Sequence, residues 1–415
     1  MEKIFTASCI GLGHRGIEYL QEMYNTPNHY KVVSVCDIDK KRLDIAKHDF
    51  KLDESLCFDN EEDFFKEKRS DILIVSTQDR DHVGHCIKGL KLGYDILCEK
   101  PISGLENEVR ELVDPQRKYG HKIFVCHVLR YAPAFTKAKK LLDAGTIGQL
   151  VMIDDIENVG FFHQAHSFVR GCWRNSNETS PMILAKCCHD MDLLTWYANS
   201  RCKSISSIGD LRFFKHENQP EGAADRCLDC KYVNSCPYSA VYGYTVLGFN
   251  ARLSVVNERV ASKENIMEAL KTSPYGRCVF KCDNNVVDNQ ITMMRFENGV
   301  TANLRMTAFT NCKAGGRILK FYGTYGQIDL DELANTITVG VFGKEKEIIN
   351  IDNLLDLEDG HGGGDAGIIR ELYNNLLSTQ PGSTTLAASV ESHLMAFAAE
   401  ESRLKGGELI YIKHQ

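Results

Sequence analysis

Gly11-Leu12-Gly13-His14-Arg15-Gly16 follows a short apolar run, Ile4 to Ile10, that reads as a strand, and leads into a helical segment, Ile17 to Tyr24. A glycine pattern of this form is weak by itself, and the flanking strand and helix give it meaning. A second apolar run, Val32 to Cys36, ends in Asp37, which lies 37 − 16 = 21 residues past the last glycine. That distance is close to the roughly 20 residues of a dinucleotide-binding fold. Glycines let the backbone approach a pyrophosphate at a helix N-terminus, and a carboxylate after the second strand can hold a ribose 2′-hydroxyl. An ordinary βαβ unit with a tight turn is the plain alternative.

Outward from this turn, residues 1–126 alternate strands and helices in the doubly wound manner. Further strands read at Asp71–Ser76, Tyr94–Cys98 and Lys122–Val125, each a continuous apolar run as buried parallel strands require. Helices fall between them, as at His82–Leu92 and Glu106–Tyr119. From Pro133 the character changes. A helix over Ala134–Ala144 precedes a long strand from Gln149 to Val159, and a second helix runs from Met182 to Ala198 with Pro181 at its first turn. Gln290–Phe296 and Val300–Phe309 flank Glu297-Asn298-Gly299, a hairpin signal. Arg317–Tyr322, Gln327–Leu330 and Asn335–Phe342 continue an antiparallel sheet, and Asp365–Leu377, Leu386–Leu404 and Glu408–Ile412 close the chain as two helices and a strand. The expected architecture is a Rossmann domain, a doubly wound parallel sheet over 1–126. It is joined to an α+β domain over 127–415, built on a large, open, mainly antiparallel sheet. Such a sheet leaves a face to cover, so a homodimer or homotetramer packed through it is expected.

A chain of 415 residues exceeds one compact core, which agrees with two domains. With 43% hydrophobic and 25% charged residues the composition is that of a soluble globular protein. A formal charge of −7 argues against a nucleic-acid surface. No apolar stretch nears the roughly 20 residues needed to span a bilayer, and the first apolar residues serve a strand rather than a secretory signal. Sixteen cysteines lie mostly singly within strands and helices, as at Cys9, Cys36, Cys98 and Cys126. They read as reduced, buried thiols of a cytoplasmic protein.

Past the fifth strand lies Cys98-Glu99-Lys100-Pro101. Taken with the glycine turn, Asp37, Ser76-Thr77 and His82, the Leu129-Arg130-Tyr131-x-Pro133 segment and His189-x-x-Asp192, it resembles the Gfo/Idh/MocA family of sugar-type oxidoreductases. The match runs in order along nearly the whole chain. The resemblance implies that Lys100 takes or gives a substrate hydroxyl proton while hydride moves to nicotinamide, and that His189 contacts the reacting hydroxyl. A lysine suits that place, because a cation favours a developing alkoxide. The candidate cofactor residues are Gly11, Gly13, His14, Arg15, Gly16, Asp37, Ser76, Thr77, His82, Glu99 and Lys100. Asp37 favours NAD over NADP, since its carboxylate repels a 2′-phosphate. Lys40, Lys41 and Arg42 keep NADP open, although they read as facing solvent on the next helix.

Positions 186, 189, 190 and 193 share one helical face by their i, i+3, i+4, i+7 spacing, gathering Lys186, His189 and Asp190 on an otherwise apolar helix. Buried charges need partners, so a polar cleft or a substrate is expected there. Where many sugar dehydrogenases of the family carry an aspartate four residues before that histidine, this chain has Ala185. Arg130, after the sixth strand with His127, and Trp173 and Arg174, in the loop from Phe168 to Arg174 that also holds Arg170, complete the substrate candidates. Aromatic faces stack on sugars and guanidinium forks bind carboxylates. Gly360 to Asp365 reads as a mobile loop with Asp365 as a helix N-cap. The expected activity is NAD-dependent hydride transfer with a sugar, sugar acid, polyol or glycoside hydroxyl. An NAD-dependent glycosidase or lyase working by transient oxidation and elimination is one alternative, and a non-catalytic NAD-binding regulator is another.

A polar insertion over 217–242 carries Cys227-x2-Cys230-x5-Cys236. Three such cysteines read as ligands of a structural zinc, with Cys278 or Cys282 as the fourth, and an iron–sulfur cluster is the alternative.

Overall fold

The computed structural model describes residues 3–312, 315–354, 360–378 and 382–414. They group into two compact units. One takes 3–132, 257–259, 360–378 and 382–393, and the other takes 133–256, 260–312, 315–354 and 394–414. The division therefore differs from a single boundary at 126, because late segments complete the first unit. The Tyr30 hydroxyl donates to the Ile369 carbonyl at 2.7 Å, Thr385 bridges Phe124, and the Gly360–Leu377 helix packs on the His14–Tyr24 helix.

In the first unit six strands, β1 (Phe5–Ile10), β2 (Tyr30–Cys36), β3 (Cys57–Phe58), β4 (Ile72–Val75), β5 (Asp95–Cys98) and β6 (Ile123–Val125), form one sheet in the order β3-β2-β1-β4-β5-β6. Every pairing is parallel. All four residues of β4 are buried, which is why its sequence is apolar without alternation. The winding reverses between β1 and β4, so the crevice that binds ligands in such folds opens past Ile10 and Val75. The helix expected over Glu106–Tyr119 is two helices, Glu106–Glu111 and Val113–Tyr119. Pro115 has no N–H to give the preceding turn, which explains the break.

The second unit carries a nine-stranded sheet in the order β14-β13-β12-β11-β7-β10-β9-β8-β15. Its strands are β7 (Leu150–Asn158), β8 (Cys202–Asp210), β9 (Asn289–Phe296), β10 (Thr301–Thr307), β11 (Gly316–Gly323), β12 (Gly326–Asp331), β13 (Thr336–Val341), β14 (Glu347–Asn350) and β15 (Ile410–Tyr411). Only the β7–β10 pair is parallel. Strict alternation along β9 buries Gln290, Thr292, Met294 and Phe296 and exposes Ile291, Met293 and Arg295, so one face of the sheet is open. β14 and a helix at Lys263–Thr272 add to what the sequence pattern indicated.

The helix expected over Met182–Ala198 is also broken. It runs Met182–Ala185 and then Cys188–Ala198, with Cys187 off helical geometry at φ −90° and ψ 10°. Pro181 caps it in an extended conformation rather than entering its first turn.

Candidate active site

Each glycine of the turn answers to a different constraint. Gly11 has φ +89°, and a Cβ there would lie 2.5 Å from the Ser76 carbonyl oxygen. At Gly16 a Cβ would meet the Gly11 carbonyl at 2.1 Å, so the helix can approach β1 only without a side chain. A Cβ on Gly13 would meet nothing within 4 Å. The open glycine is thus the one at the N-terminus of the His14–Tyr24 helix, whose first N–H groups have no side-chain cap. That is the arrangement a pyrophosphate requires. The Asp37 carboxylate, nearly buried at the end of β2, accepts from Leu12 N at 2.6 Å and Asp39 N at 2.8 Å. It therefore braces the glycine turn from the place where a ribose would lie. These residues fit a dinucleotide.

One expectation near Asp37 needs correction. Lys40 and Lys41 are exposed, but Arg42 is not turned to solvent. The first turn of its helix lies against the end of β2. Arg42 Nη1 comes within 3.8 Å of Asp37, and its Nε donates to Asn257 Oδ1 at 3.1 Å.

The turn after β5 is tied to the glycine turn by a buried polar cluster. Glu99 Oε2 accepts from the Lys100 backbone N–H at 2.7 Å, while Oε1 accepts from Arg15 Nε at 2.9 Å and the Tyr19 hydroxyl at 2.7 Å. Arg15 also grips both oxygens of Asp365, at 2.5 and 3.1 Å. Burial works to raise the Glu99 carboxyl, but the Arg15 and Lys100 charges hold it below its usual value. Burial likewise opposes ionisation of Asp365, yet Arg15 and a hydrogen bond from His361 hold it well below the carboxylate range. The Asp365 expectation is corrected accordingly. His361, Gly362 and Gly363 take positive φ at the start of this helix, and Asp365 is a buried ion partner rather than an N-cap.

The other first-unit candidates fall around this cluster. The Lys100–Pro101 peptide is cis, and Lys100 is half-buried. His82 is buried, with Nδ1 2.8 Å from the Pro101 carbonyl and Nε2 3.2 Å from the Thr77 carbonyl, so it joins the β4 turn to the β5 turn. Ser76 Oγ donates to the Gly11 carbonyl at 2.7 Å, and Thr77 Oγ1 lies 3.0 Å from His85 Nδ1. His14 is half-exposed, 3.5 Å from Glu18. Arg130 is buried, its Nη1 donating to the Ser383 carbonyl at 2.8 Å. Burial, with the Arg130 and Lys100 charges, pushes His127 well below the imidazole range and keeps it neutral. His393, not singled out by sequence, accepts from Ile102 N at 2.8 Å and holds the chain just past the Lys100 turn.

In the second unit the break at Cys187 interrupts the expected helical face, yet Lys186 and Asp190 still meet one network. Arg317 binds Asp190 through two hydrogen bonds, 2.7 and 3.1 Å, and its Nη2 lies 2.7 Å from Glu157. Lys186 Nζ lies 3.3 Å from the other Glu157 oxygen. Arg317 and Glu157 are direct cross-strand partners on β11 and β7. Asp155, two residues before Glu157, is fully buried, and neither of its oxygens has a hydrogen-bond partner among the described residues. Burial pushes Asp155 far above the carboxylate range, the Asp190 charge adding to it, and burial pushes Asp190 up less because Arg317 opposes it. His189 is buried on the same helix. Arg174 is held bidentately by Asp283 at 2.8 Å, and half-buried Trp173 leans on Phe168.

The expected zinc centre is not formed. No group of three or more His, Cys, Asp or Glu side chains among the described residues is gathered to hold a single metal ion. Cys227 Sγ instead accepts from Ala240 N at 3.4 Å and lies 3.5 Å from Arg170 Nη2. Cys282 Sγ turns to the Cys278 carbonyl at 3.3 Å.

Residues 5–127 match the family model described as an oxidoreductase family with an NAD-binding Rossmann fold, and residues 139–408 match its C-terminal alpha/beta domain. The chain belongs to the Gfo/Idh/MocA oxidoreductase family. It is 23% identical over 377 residues to the putative oxidoreductase YteT of Bacillus subtilis (strain 168), covering 86% of this chain and 85% of that one. An inositol 2-dehydrogenase of Salmonella typhimurium (strain LT2) is 22% identical over 200 residues, which is 48% of this chain and 56% of that protein. Among solved structures, levoglucosan dehydrogenase in complex with NADH and levoglucosan superposes with a TM-score of 0.74 at 14% identity, over 99% of this chain and 100% of that one. No helix among the described residues is long and apolar enough to cross a membrane.

Proposed function

We propose that this chain is a dehydrogenase that moves hydride between NAD and a hydroxyl-bearing carbon of a sugar, sugar acid, polyol or glycoside. The observation that carries the reading is the buried Glu99–Arg15–Asp365 cluster, which fixes the backbone of Lys100 to the glycine turn. Relatives that act on inositol and levoglucosan support the substrate class. NAD, when bound, supplies the hydride acceptor. Lys100 then accepts the hydroxyl proton as hydride leaves and returns it in the reverse direction. His189 orients the reacting hydroxyl with Lys186 beside it on the chain, and Asp190, wholly engaged by Arg317, is a positioning residue. Gly11, Gly13, Gly16 and Asp37 receive the cofactor, while Arg15, His82 and Glu99 position its turn.

Lys100→Ala is expected to lower kcat about 100- to 10,000-fold, the range of a lost acid–base group, with NAD affinity nearly unchanged. Unaltered turnover would remove Lys100 from the mechanism. The same assay with NADP tests the Asp37 preference, which Arg42 at 3.8 Å weakens. The open sheet face, with Ile208 paired to Ile291 and Met293 exposed nearby, is proposed as a homo-oligomer surface. A monomer by light scattering would contradict it. None of the sixteen cysteines is in a disulfide among the described residues, which supports a cytoplasmic enzyme.

A further inference from the structure

The insertion before the later strands closes on itself around a cavity that the proposed reaction does not use. Cys278 N donates to the Asp225 carbonyl at 2.8 Å, and Arg226 bridges Arg277, so the 276–280 segment is laced to the start of the cysteine-bearing loop. Between them lies a cavity of about 320 Å³, lined by Cys227, Cys230, Cys236 and Cys278. The rest of its wall is mainly apolar, with Phe213, Tyr238 and Phe280 among the lining residues. Four cysteines thus line one space. Cys282 is not among them.

The wall also includes Arg170, only 1% exposed. Its Nε and Nη2 donate to the Arg277 and Tyr238 carbonyls, both at 2.7 Å, and Nη2 lies 3.5 Å from Cys227 Sγ. Its Nη1 has no hydrogen-bond partner, and no carboxylate pairs with the guanidinium among the described residues. A buried cation without a counter-ion is costly, and arginine does not escape the cost by losing its proton. An anionic occupant of the cavity resolves the imbalance.

A zinc ion bonds each sulfur at about 2.3 Å and so draws four sulfurs to within about 4 Å of one another. No three ligand side chains here are gathered so tightly, and the cavity is far larger than one ion. A cubane of four irons and four sulfides takes its thiolates at the outer corners, fills a larger space and carries net negative charge once four cysteines bind it. We propose that Cys227, Cys230, Cys236 and Cys278 ligate a four-iron, four-sulfide cluster, with Arg170 as its buried counter-ion. The four thiols lose their protons as the cluster binds. The cluster cross-links the 227–236 loop to residue 278 and takes no part in hydride transfer.

The test is metal and sulfide analysis of the full chain, purified without oxygen and then reconstituted with ferric iron, a thiol reductant and sulfide. About four irons and four acid-labile sulfides per chain are expected, with a broad visible absorption that dithionite bleaches. Cys227→Ser, Cys230→Ser, Cys236→Ser and Cys278→Ser should each lose most of the iron, and Cys282→Ser should keep it. Arg170→Gln should shift the reduction midpoint to more negative values, because a nearby cation favours the added electron; an unmoved midpoint removes Arg170 from the account. One zinc per chain without sulfide, or a chain free of iron after both procedures, would overturn the cluster. Equal loss of iron in Cys282→Ser and Cys278→Ser would overturn the ligand set.

Discussion

In the first unit Arg15 lies between Glu99 and Asp365, partly open to water, and both carboxyls are held below their usual range. In the second unit Arg317 lies between Asp190 and Glu157 and is nearly sealed off. There Asp155, Asp190 and Glu332 are all pushed upward, chiefly by burial. Both clusters put one arginine between two carboxylates, yet their balance differs. The first unit supplies its carboxyls with a tyrosine hydroxyl, a histidine and a backbone N–H, whereas the second buries an additional aspartate that no donor among the described residues reaches. The opposite pKa directions follow from donor count and solvent access, not from residue type.

The consequence for stability has opposite signs. Carboxyls depressed by folding stabilise the native state above their unfolded value of about 4, and that contribution is lost as pH falls through the folded value. A carboxyl raised by folding, such as Asp155, leaves the native state holding a proton that the unfolded chain has released. Its contribution is therefore fully present below pH of about 4 and is lost as pH rises toward the folded value.

The largest expected effect breaks the second cluster. Arg317→Met leaves Asp190 buried without its partner and Glu157 with Lys186 alone, and should cost about 3–5 kcal/mol in denaturant unfolding. The deficit should shrink at pH 5, and a deficit equal at pH 5 and pH 8 would mean that the cluster is not charged as described. Next, Asp365→Asn should destabilise by about 2 kcal/mol at neutral pH, less than a sealed pair because Arg15 meets some water. That penalty should fade below pH of about 4, and NAD should bind more weakly because Arg15 no longer braces the Lys100 turn. The smallest effect sharpens the contrast. Asp155→Asn should raise stability by on the order of 1 kcal/mol at pH 8 and by less at pH 5, since an uncharged amide replaces a carboxyl forced to hold a proton. A loss at pH 8 would show that Asp155 is ionised and paired.

The two clusters also mark how far sequence alone reaches. The glycine turn, Asp37 and the parallel strands were legible because each obeys a local rule: a backbone approach, a strand end, a continuous buried run. The Arg15–Asp365 pair was not, since its members lie 350 positions apart and only the returning helix joins them. Arg317 and Glu157 likewise meet through strand register, which no local pattern gives. A signal did exist for Asp155 and Glu157. They sit two and four residues past Ile153 in one strand, on the same buried face, which marks two carboxylates that need partners. The break at Cys187 was invisible because nothing in Lys186-Cys187-Cys188 is a helix breaker.

The most direct measurement of the proposed reaction is a product screen by mass spectrometry. The purified chain would be incubated with NAD and pooled sugars, sugar acids, polyols and aryl glycosides, while nicotinamide reduction is followed optically. An oxidised product matched in amount by NADH is the predicted result. Released aglycone without NADH would contradict net oxidation in favour of elimination with the hydride returned, and NAD binding with neither product would leave a protein that binds the cofactor without turning it over.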